Sequence, residues 1–372
     1  MPSQPLPDNL IYAVAERFLR GKKDDGGRPW NASTLARWLG EEGFPTTREE
    51  IYPIIRQAID RGFLRLCPPL STELFAQLMR KYPRVPKDTI ILDLKHPSAG
   101  GETNAHATIE GLADRAAERV VELIREVAKD KRRGTQREGV DRERVHIGFG
   151  GGGATQRIAH ALAQQLASAT HLPPLVLHAL SSGLDVSRPL DTPIAFFSYF
   201  ERIRPAVDFV GMISPLMTTS GQYAEVIDSP GIRQSRERAA EIDIVVTSLA
   251  QAEDEHGLLN TLVKESAGAR ELLEDEGYVG DVLMHPFSAS GPIDADIGIR
   301  AVTMFDLPEL VEIAQTPGRH VVLLAGPCLG CGLNKSDALR PLLTEPTLGV
   351  CNHLVTDSAT AEGLLEGPVV TE

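Results

Sequence analysis

The sequence contains no run of eighteen or more apolar residues, so no transmembrane helix is expected. Its opening residues, MPSQPLPDNL, lack the basic stretch and apolar core that mark a secretion signal. Four cysteines spread over 372 residues are too few and too scattered for a disulfide framework, which points to a reducing, cytoplasmic compartment. Positive charge is also in short supply. Lys and Arg number 38 against 51 Asp and Glu, a net of −13, which argues against a protein that coats nucleic acid over its whole surface. The deficit is uneven: residues 1–69 hold ten basic and nine acidic side chains, a net of +1, leaving −14 for the remainder. A head that touches phosphates while an acidic body stays away is thereby permitted.

What is present reads as two units. In the first, Leu10, Ile11, Val14, Ala15 and Phe18 have helical spacing over Asn9–Leu19. The polar, Gly-rich GKKDDGGRP is a loop. Asn31 or Ser33 can cap a second helix with Leu35, Ala36, Trp38 and Leu39 on one face and Gly43 as its stop. Thr46 or Thr47 caps a third, with Glu49 and Glu50 in its first turn and Ile51, Ile54, Ile55, Ala58 and Ile59 on its face. Phe63, Leu64 and Leu66 alternate with Arg65 as a short strand. This is the order of a winged helix-turn-helix, ending at Pro68 and Pro69, so the expected division is 1–69 and 70–372. In such a unit Thr46, Thr47, Arg48, Tyr52 and Arg56 stand where a recognition helix meets base edges.

From Leu70 strands and helices alternate. A helix is expected over STELFAQLMRKY and a long amphipathic one over 108–131. Strands are expected at 89–94, 145–150, 174–180, 207–213, 242–250, 279–287, 321–326 and 351–357. Continuous apolar strands separated by helices indicate a largely parallel sheet covered on both faces, an α/β fold.

Ligands of such sheets bind beyond the carboxyl ends of the strands. After VHIGF come four glycines, then Ala154 and Thr155 opening a helix; Gly152, Gly153 and the helix N-terminus can hold an anion, or simply close a tight turn. Neither a P-loop lysine nor a spaced dinucleotide fingerprint is present, and no cofactor is expected. Lys335 opens a helix after VVLLAG and a Gly-rich loop, where it can reach a phosphate or can be merely solvated. Asp281, His285, Ser288 and Ser290 follow another strand and can hydrogen-bond sugar hydroxyls or close a turn. Thr247 and Ser248 sit at the ligand edge, and the acidic AEDE beyond them is most simply a solvated loop.

The order GFGGGGAT, IDIVVTSLA, VGDVLMHPFSASGP, VVLLAGPCLGCGLNKSDALRPLL and HLVTDSATAEGLL resembles the effector-binding domain of SorC-type sugar-responsive regulators, over about residues 70–366. The resemblance implies a domain of the broad fold group of ribose-5-phosphate isomerase, glucosamine-6-phosphate deaminase and coenzyme A transferases. It also implies a phosphorylated sugar or related small anionic carbohydrate as ligand and a double-stranded DNA operator as partner. By it, Gly153, Ala154 and Thr155 match the phosphate-binding turn and Lys335 the effector-contacting lysine. Gly280–Asp281 and Thr356–Asp357 match two further steps. The glycine turn is longer than usual, PCLGCGLN replaces a short connection, and Ser288 stands where aspartate is common. The head is less similar, with an inserted loop (21–28) and Pro53 within the third helix. A head near +1 gains little from counterion release, so a homo-oligomer presenting paired heads is expected.

Two alternatives use the same residues. A sugar-phosphate isomerase or deaminase would need a carboxylate base, for which Glu253, Asp254 or Asp281 are candidates. A carbohydrate sensor could act through protein contacts of the head. Finally, Cys328 and Cys331 followed by Cys351 and His353 could form a zinc site if consecutive strand ends brought the pairs together; core cysteines are the commoner outcome, and no metal is expected.

Overall fold

The computed structural model describes residues 6–21, 26–64, 68–94, 105–134, 141–169, 171–182, 188–264, 266 and 268–367. The chain divides into two compact units, Met1–Cys67 and Pro68–Glu372.

The first unit has three described helices, α1 (Asp8–Arg20), α2 (Ala32–Glu41) and α3 (Ile51–Asp60). Their cores follow the 3.6-residue period: Ile11, Val14 and Ala15 from α1, Leu35 and Leu39 from α2, and Ile51, Ile54 and Ala58 from α3 are buried together. Asn31 is the cap of α2, its side chain accepting the Thr34 N–H at 2.9 Å. Gly43 (φ +87°) and Gly62 (φ +72°) let the chain turn back at the ends of α2 and α3. Phe44 N–H then reaches the Leu39 carbonyl, and Phe63 N–H that of Ala58, both at 2.8 Å. The Arg17 guanidinium lies 3.6 Å from the Trp38 ring centroid and 5.0 Å from that of Trp30. The expected third helix begins later than its sequence suggests. Thr47 and Glu50 exchange a reciprocal pair of bonds in the turn ahead of α3, so Arg48 precedes the helix. Pro53 falls in the first turn of α3, where its missing N–H has no partner to lose. Phe63 and Leu64 form a bend rather than a strand, and the rest of the expected wing (65–67) lies outside the described residues.

In the second unit the strands are β1 (Ile90–Leu92), β2 (Val145–Phe149), β3 (Leu175–Ala179), β4 (Asp208–Val210), β5 (Met217–Thr219), β6 (Ile244–Gln251), β7 (Tyr278–Val282), β8 (His285–Ser288), β9 (Gly291–Pro292), β10 (Ile299–Ala301), β11 (His320–Ala325) and β12 (His353–Asp357). The central sheet runs β1-β12-β11-β6-β2-β3-β4, every pair parallel. Alternate residues feed two cores. Ile244, Val246, Val322 and Leu324 face α5 (Ala105–Arg133) and α6 (Gly153–Ser168). Val245, Leu249, Val321 and Leu323 face Leu78 and Tyr82, at the end of α4 (Thr72–Lys81), and the helices Leu307–Gln315, Ser336–Thr344 and Ser358–Glu366. Both faces are thus covered, as a parallel sheet requires.

One expected strand is wrong. Residues 279–287 are not a single strand but the antiparallel pair β7–β8, which extends from the far end of β6. The turn between them is Leu283 (φ +51°) and Met284 (φ +61°). A two-residue hairpin turn with positive φ at both central positions is of type I′, a conformation that glycine or asparagine normally supplies. Here burial of both side chains and a bond from Met284 N–H to Asp281 Oδ1 (3.1 Å) hold the turn instead.

Candidate functional site

The sheet order places β2, β6 and β11 side by side, so their carboxyl ends open on one cavity of about 380 Å³. It is walled by three loops: the glycines after β2, residues 254–258 after β6, and residues 326–330 after β11. Gly152, Gly153, Ala154, Thr247, Ser248, Asp281 and Lys335 all line it. Thr155 lies just beneath, fully buried, with its hydroxyl donating to Ser248 Oγ at 3.4 Å.

The glycines are there for close approach. A Cβ on Gly150 would lie 2.6 Å from a Leu283 methyl and 2.8 Å from Thr247 Oγ1. Gly152 sits at φ +111° and donates its N–H to the Asp191 carbonyl at 2.7 Å. That bend starts α6 with no side chain capping it, and the N–H groups of its first turn are directed out of the helix N-terminus.

Lys335 is 3% exposed, and its ammonium bonds the carboxylate of Asp254, itself 5% exposed. Burial alone would raise the Asp254 pKa. The Lys335 charge and hydrogen bonds from Cys328, Lys335 and the His256 N–H outweigh it and hold the group below the ordinary range. Asp281 goes the other way: burial raises it to about 6, against the lowering effect of the Tyr278 hydroxyl (2.9 Å) and the Met284 N–H. Arg188 adds a second cation to the rim, paired with Asp191 and donating to the His256 carbonyl at 2.7 Å. Each of the two cations is already paired with a carboxylate, Lys335 with Asp254 and Arg188 with Asp191, and Glu255 also lines the cavity, so the place for negative charge on a small polar ligand is the helix N-terminus.

Other candidates lie elsewhere. Ser288 and Ser290 bond each other at 3.0 Å and close the β8–β9 turn. His285 lines a separate cavity of about 410 Å³, bonded to Thr303 Oγ1 at 2.7 Å. Burial holds its pKa down at about 4. Thr356 ties β12 to the Ala325 carbonyl (2.6 Å), and Asp357 caps the last helix by accepting the Thr360 N–H (2.9 Å). Glu253 borders a third, smaller cavity. Cys351 and His353 are not brought to Cys328 and Cys331: in the parallel register His353 starts β12 beside Val322, whereas Cys328 follows the far end of β11. The four-residue zinc set suggested by their spacing therefore does not form. Arg188 and His256 are among the pocket residues that the sequence pattern did not single out, and Asp254 was named only as a candidate base for an enzyme.

In the head, Tyr52 and Arg56 are exposed one turn apart on α3, with Arg48 and Thr47 exposed in the turn before it. Thr46 is half-buried and donates to the Phe44 carbonyl at 2.8 Å.

Residues 205–366 match the family described as "Putative sugar-binding domain". No curated protein matches the chain in sequence. Among solved structures, the full-length sorbitol operon regulator SorC from Klebsiella pneumoniae aligns at a TM-score of 0.57 and 14% identity, over 98% of this chain and 100% of that one. A DeoR family transcriptional regulator from Listeria monocytogenes aligns at 0.55 and 16%, over 79% and 99%. A transcriptional regulator from Streptococcus pneumoniae TIGR4 aligns at 0.54 and 13%, over 78% and 95%. At these identities the shared property is the fold.

Residues 205–366 are thus similar to a family described as a putative sugar-binding domain, and they lie in a unit of α/β architecture. The solved structures that share its fold include SorC- and DeoR-family transcriptional regulators. Thr247, Ser248, Asp254, Asp281 and Lys335 fall inside the matched residues; the glycine turn precedes them.

Proposed function

We propose that this chain is a cytoplasmic, DNA-binding transcriptional regulator whose operator affinity is set by a phosphorylated sugar in the cavity at the ends of β2, β6 and β11. The observation that carries the reading is the uncapped N-terminus of α6 opening on the same cavity as Lys335. A phosphate takes hydrogen bonds from the Gly153, Ala154 and Thr155 N–H groups, and Asp281, Thr247 and Ser248 are placed for the hydroxyls of a sugar. The head (1–67) is a winged helix-turn-helix in this reading, with α3 as its recognition helix and Thr46, Thr47, Arg48, Tyr52 and Arg56 facing the operator. The body (68–372) supplies ligand binding and the homo-oligomer contact.

Thermal shift on the full chain tests the pocket. A ligand that binds only the folded state stabilises it by about 2.7 kcal/mol at a concentration of about 100 Kd. Phosphorylated monosaccharides are expected to raise the melting temperature, and the same sugars without phosphate to do so much less. Equal shifts for both, or a full shift retained by Lys335→Ala, would place the anion site elsewhere. A gel shift with and without the active phosphosugar then tests operator control.

A further inference from the structure

We infer that Asp254, His256, Cys328 and Cys331 form a zinc site that clasps the loop after β6 to the loop after β11, beside the sugar pocket. One ligand atom from each of the four lies within 4.8 Å of the others. His256 Nδ1 is 3.7 Å from Cys328 Sγ and 3.6 Å from Asp254 Oδ1, and Cys331 Sγ is 4.0 Å from the same oxygen. A tetrahedron with Zn–S of about 2.3 Å and Zn–N or Zn–O of about 2.0 Å has edges of about 3.3–3.8 Å, so small side-chain movements close the set.

The local backbone is shaped for a metal-bound thiolate. Cys328, Leu329, Gly330, Cys331 and Gly332 make a C-x-x-C-G turn. It is closed by Gly332 N–H on the Cys328 carbonyl and Cys328 N–H on that of Leu333, both at 2.8 Å. Gly332 takes the left-handed φ of +73° that the turn needs. Inside it the Gly330 N–H points at Cys328 Sγ (3.3 Å), a donor that stabilises charge on sulfur. Gly330 also packs on the imidazole: a Cβ there would lie 2.5 Å from the His256 ring, so its absence lets the ring turn Nδ1 to the cluster.

Charge closes as well. Two thiolates, one carboxylate and a dication leave a single negative charge, and Lys335 on the outer oxygen of Asp254 cancels it. As each sulfur binds zinc, its thiol proton is released to solvent. Two sulfurs, one nitrogen and one oxygen in a tetrahedral set select zinc over the hard cations magnesium and calcium. Three of the four ligands, Asp254, His256 and Cys328, line the pocket, so the ion would fix the shape of that wall.

The test uses the full chain, reduced, stripped with chelator and titrated with zinc against a chromophoric competitor, with cobalt(II) as a spectroscopic stand-in. One equivalent is expected to bind, with sulfur-to-cobalt charge transfer and tetrahedral ligand-field bands. Cys328→Ser/Cys331→Ser should abolish these signals, and Cys351→Ala should leave them unchanged. His256→Ala, at a half-exposed position that the fold tolerates, should weaken zinc by at least the roughly 10-fold lost even with outer-shell partners. No stoichiometric zinc in the reduced wild type, or zinc retained at full affinity in the double cysteine variant or in His256→Ala, would overturn the site. The readout needs neither sugar nor DNA, so its failure leaves the regulator reading standing.

Discussion

Lys335 and Asp254 form a nearly dry ion pair, their side chains 4% and 6% exposed, although 81 residues separate them in the chain. Removing one partner from such a pair strands the other charge and costs about 3–5 kcal/mol, whereas replacing both by apolar groups of like volume is far milder. In zinc-free protein, Lys335→Met is expected to lower stability by that amount. The double variant Lys335→Met/Asp254→Leu should recover most of the loss. Denaturant unfolding of the metal-stripped body measures both; equal losses in single and double variants would mean that the pair is not coupled.

How much of this was legible in the sequence depends on how local each signal is. The glycines at 150–153 and Lys335 could be found because strand, loop and helix follow each other within a few residues, and α/β sheets put ligands there. Asp254 could not. It stands in an acidic run that reads as solvated, and only the loop after β11, some seventy residues on, buries it. Cys328 and Cys331 were visible as a pair, but their spacing to Cys351 and His353 suggested partners that β12 carries to the opposite end of the sheet. The β7–β8 turn was hidden because Leu283 and Met284 carry none of the residues that announce positive φ. Long-range packing decides all three, and single-sequence patterns report only short-range order.

Gly280 is the next test of that packing. A Cβ there would lie 2.6 Å from the Ala250 carbonyl oxygen and 2.7 Å from the Ala338 methyl, on backbone and helix that cannot swing aside. Gly280→Ala should therefore cost about 1–3 kcal/mol by overpacking. Because Asp281 follows it in β7, phosphosugar affinity should fall along with the melting temperature. An alanine variant with unchanged melting temperature would show that β7 moves freely.

His178 sets a pH limit on stability. It is fully buried on β3, with its Nε2 2.9 Å from His146 Nδ1; burial, then His146 and Arg238, hold its pKa down at about 3. Around it His146 is faced in turn by Asp141 and Glu241, and by the Lys131–Asp243 pair. Unfolded, His178 titrates near its ordinary value of about 6.5, so between there and about 3 the unfolded chain binds the extra proton. Its contribution is complete above about pH 6.5 and drains away as pH falls towards 3, the loss amounting to about 2–3 kcal/mol by pH 4.5. His178→Asn should flatten the decline in melting temperature between pH 6 and 4.5 relative to wild type. A parallel decline in both proteins would assign the acid sensitivity to other groups, the buried His285 and His353 among them.

The head and the body are expected to work as a coupled pair. With ten basic and nine acidic side chains in residues 1–69, one head neutralises few phosphates, so a single copy should bind DNA weakly and without much sequence preference. Two heads on one near-palindromic site overcome this, which requires the body to associate. Arg56, exposed on α3, is the residue in the head to vary first. If it touches a phosphate, Arg56→Ala lowers the salt slope of binding by about 1 and weakens all sequences alike; if it reads a base, it costs about 1–3 kcal/mol at one position. Sugar and DNA affinities must then shift each other by one common factor, because coupling between two binding equilibria is reciprocal. Sedimentation of the full chain at micromolar concentration should show a dimer or tetramer, and titrating phosphosugar with and without operator should return the same factor by which phosphosugar changes operator affinity. A chain that stays monomeric on DNA, or a sugar affinity indifferent to operator, would leave the pocket as a sensor that acts through some other contact of the head.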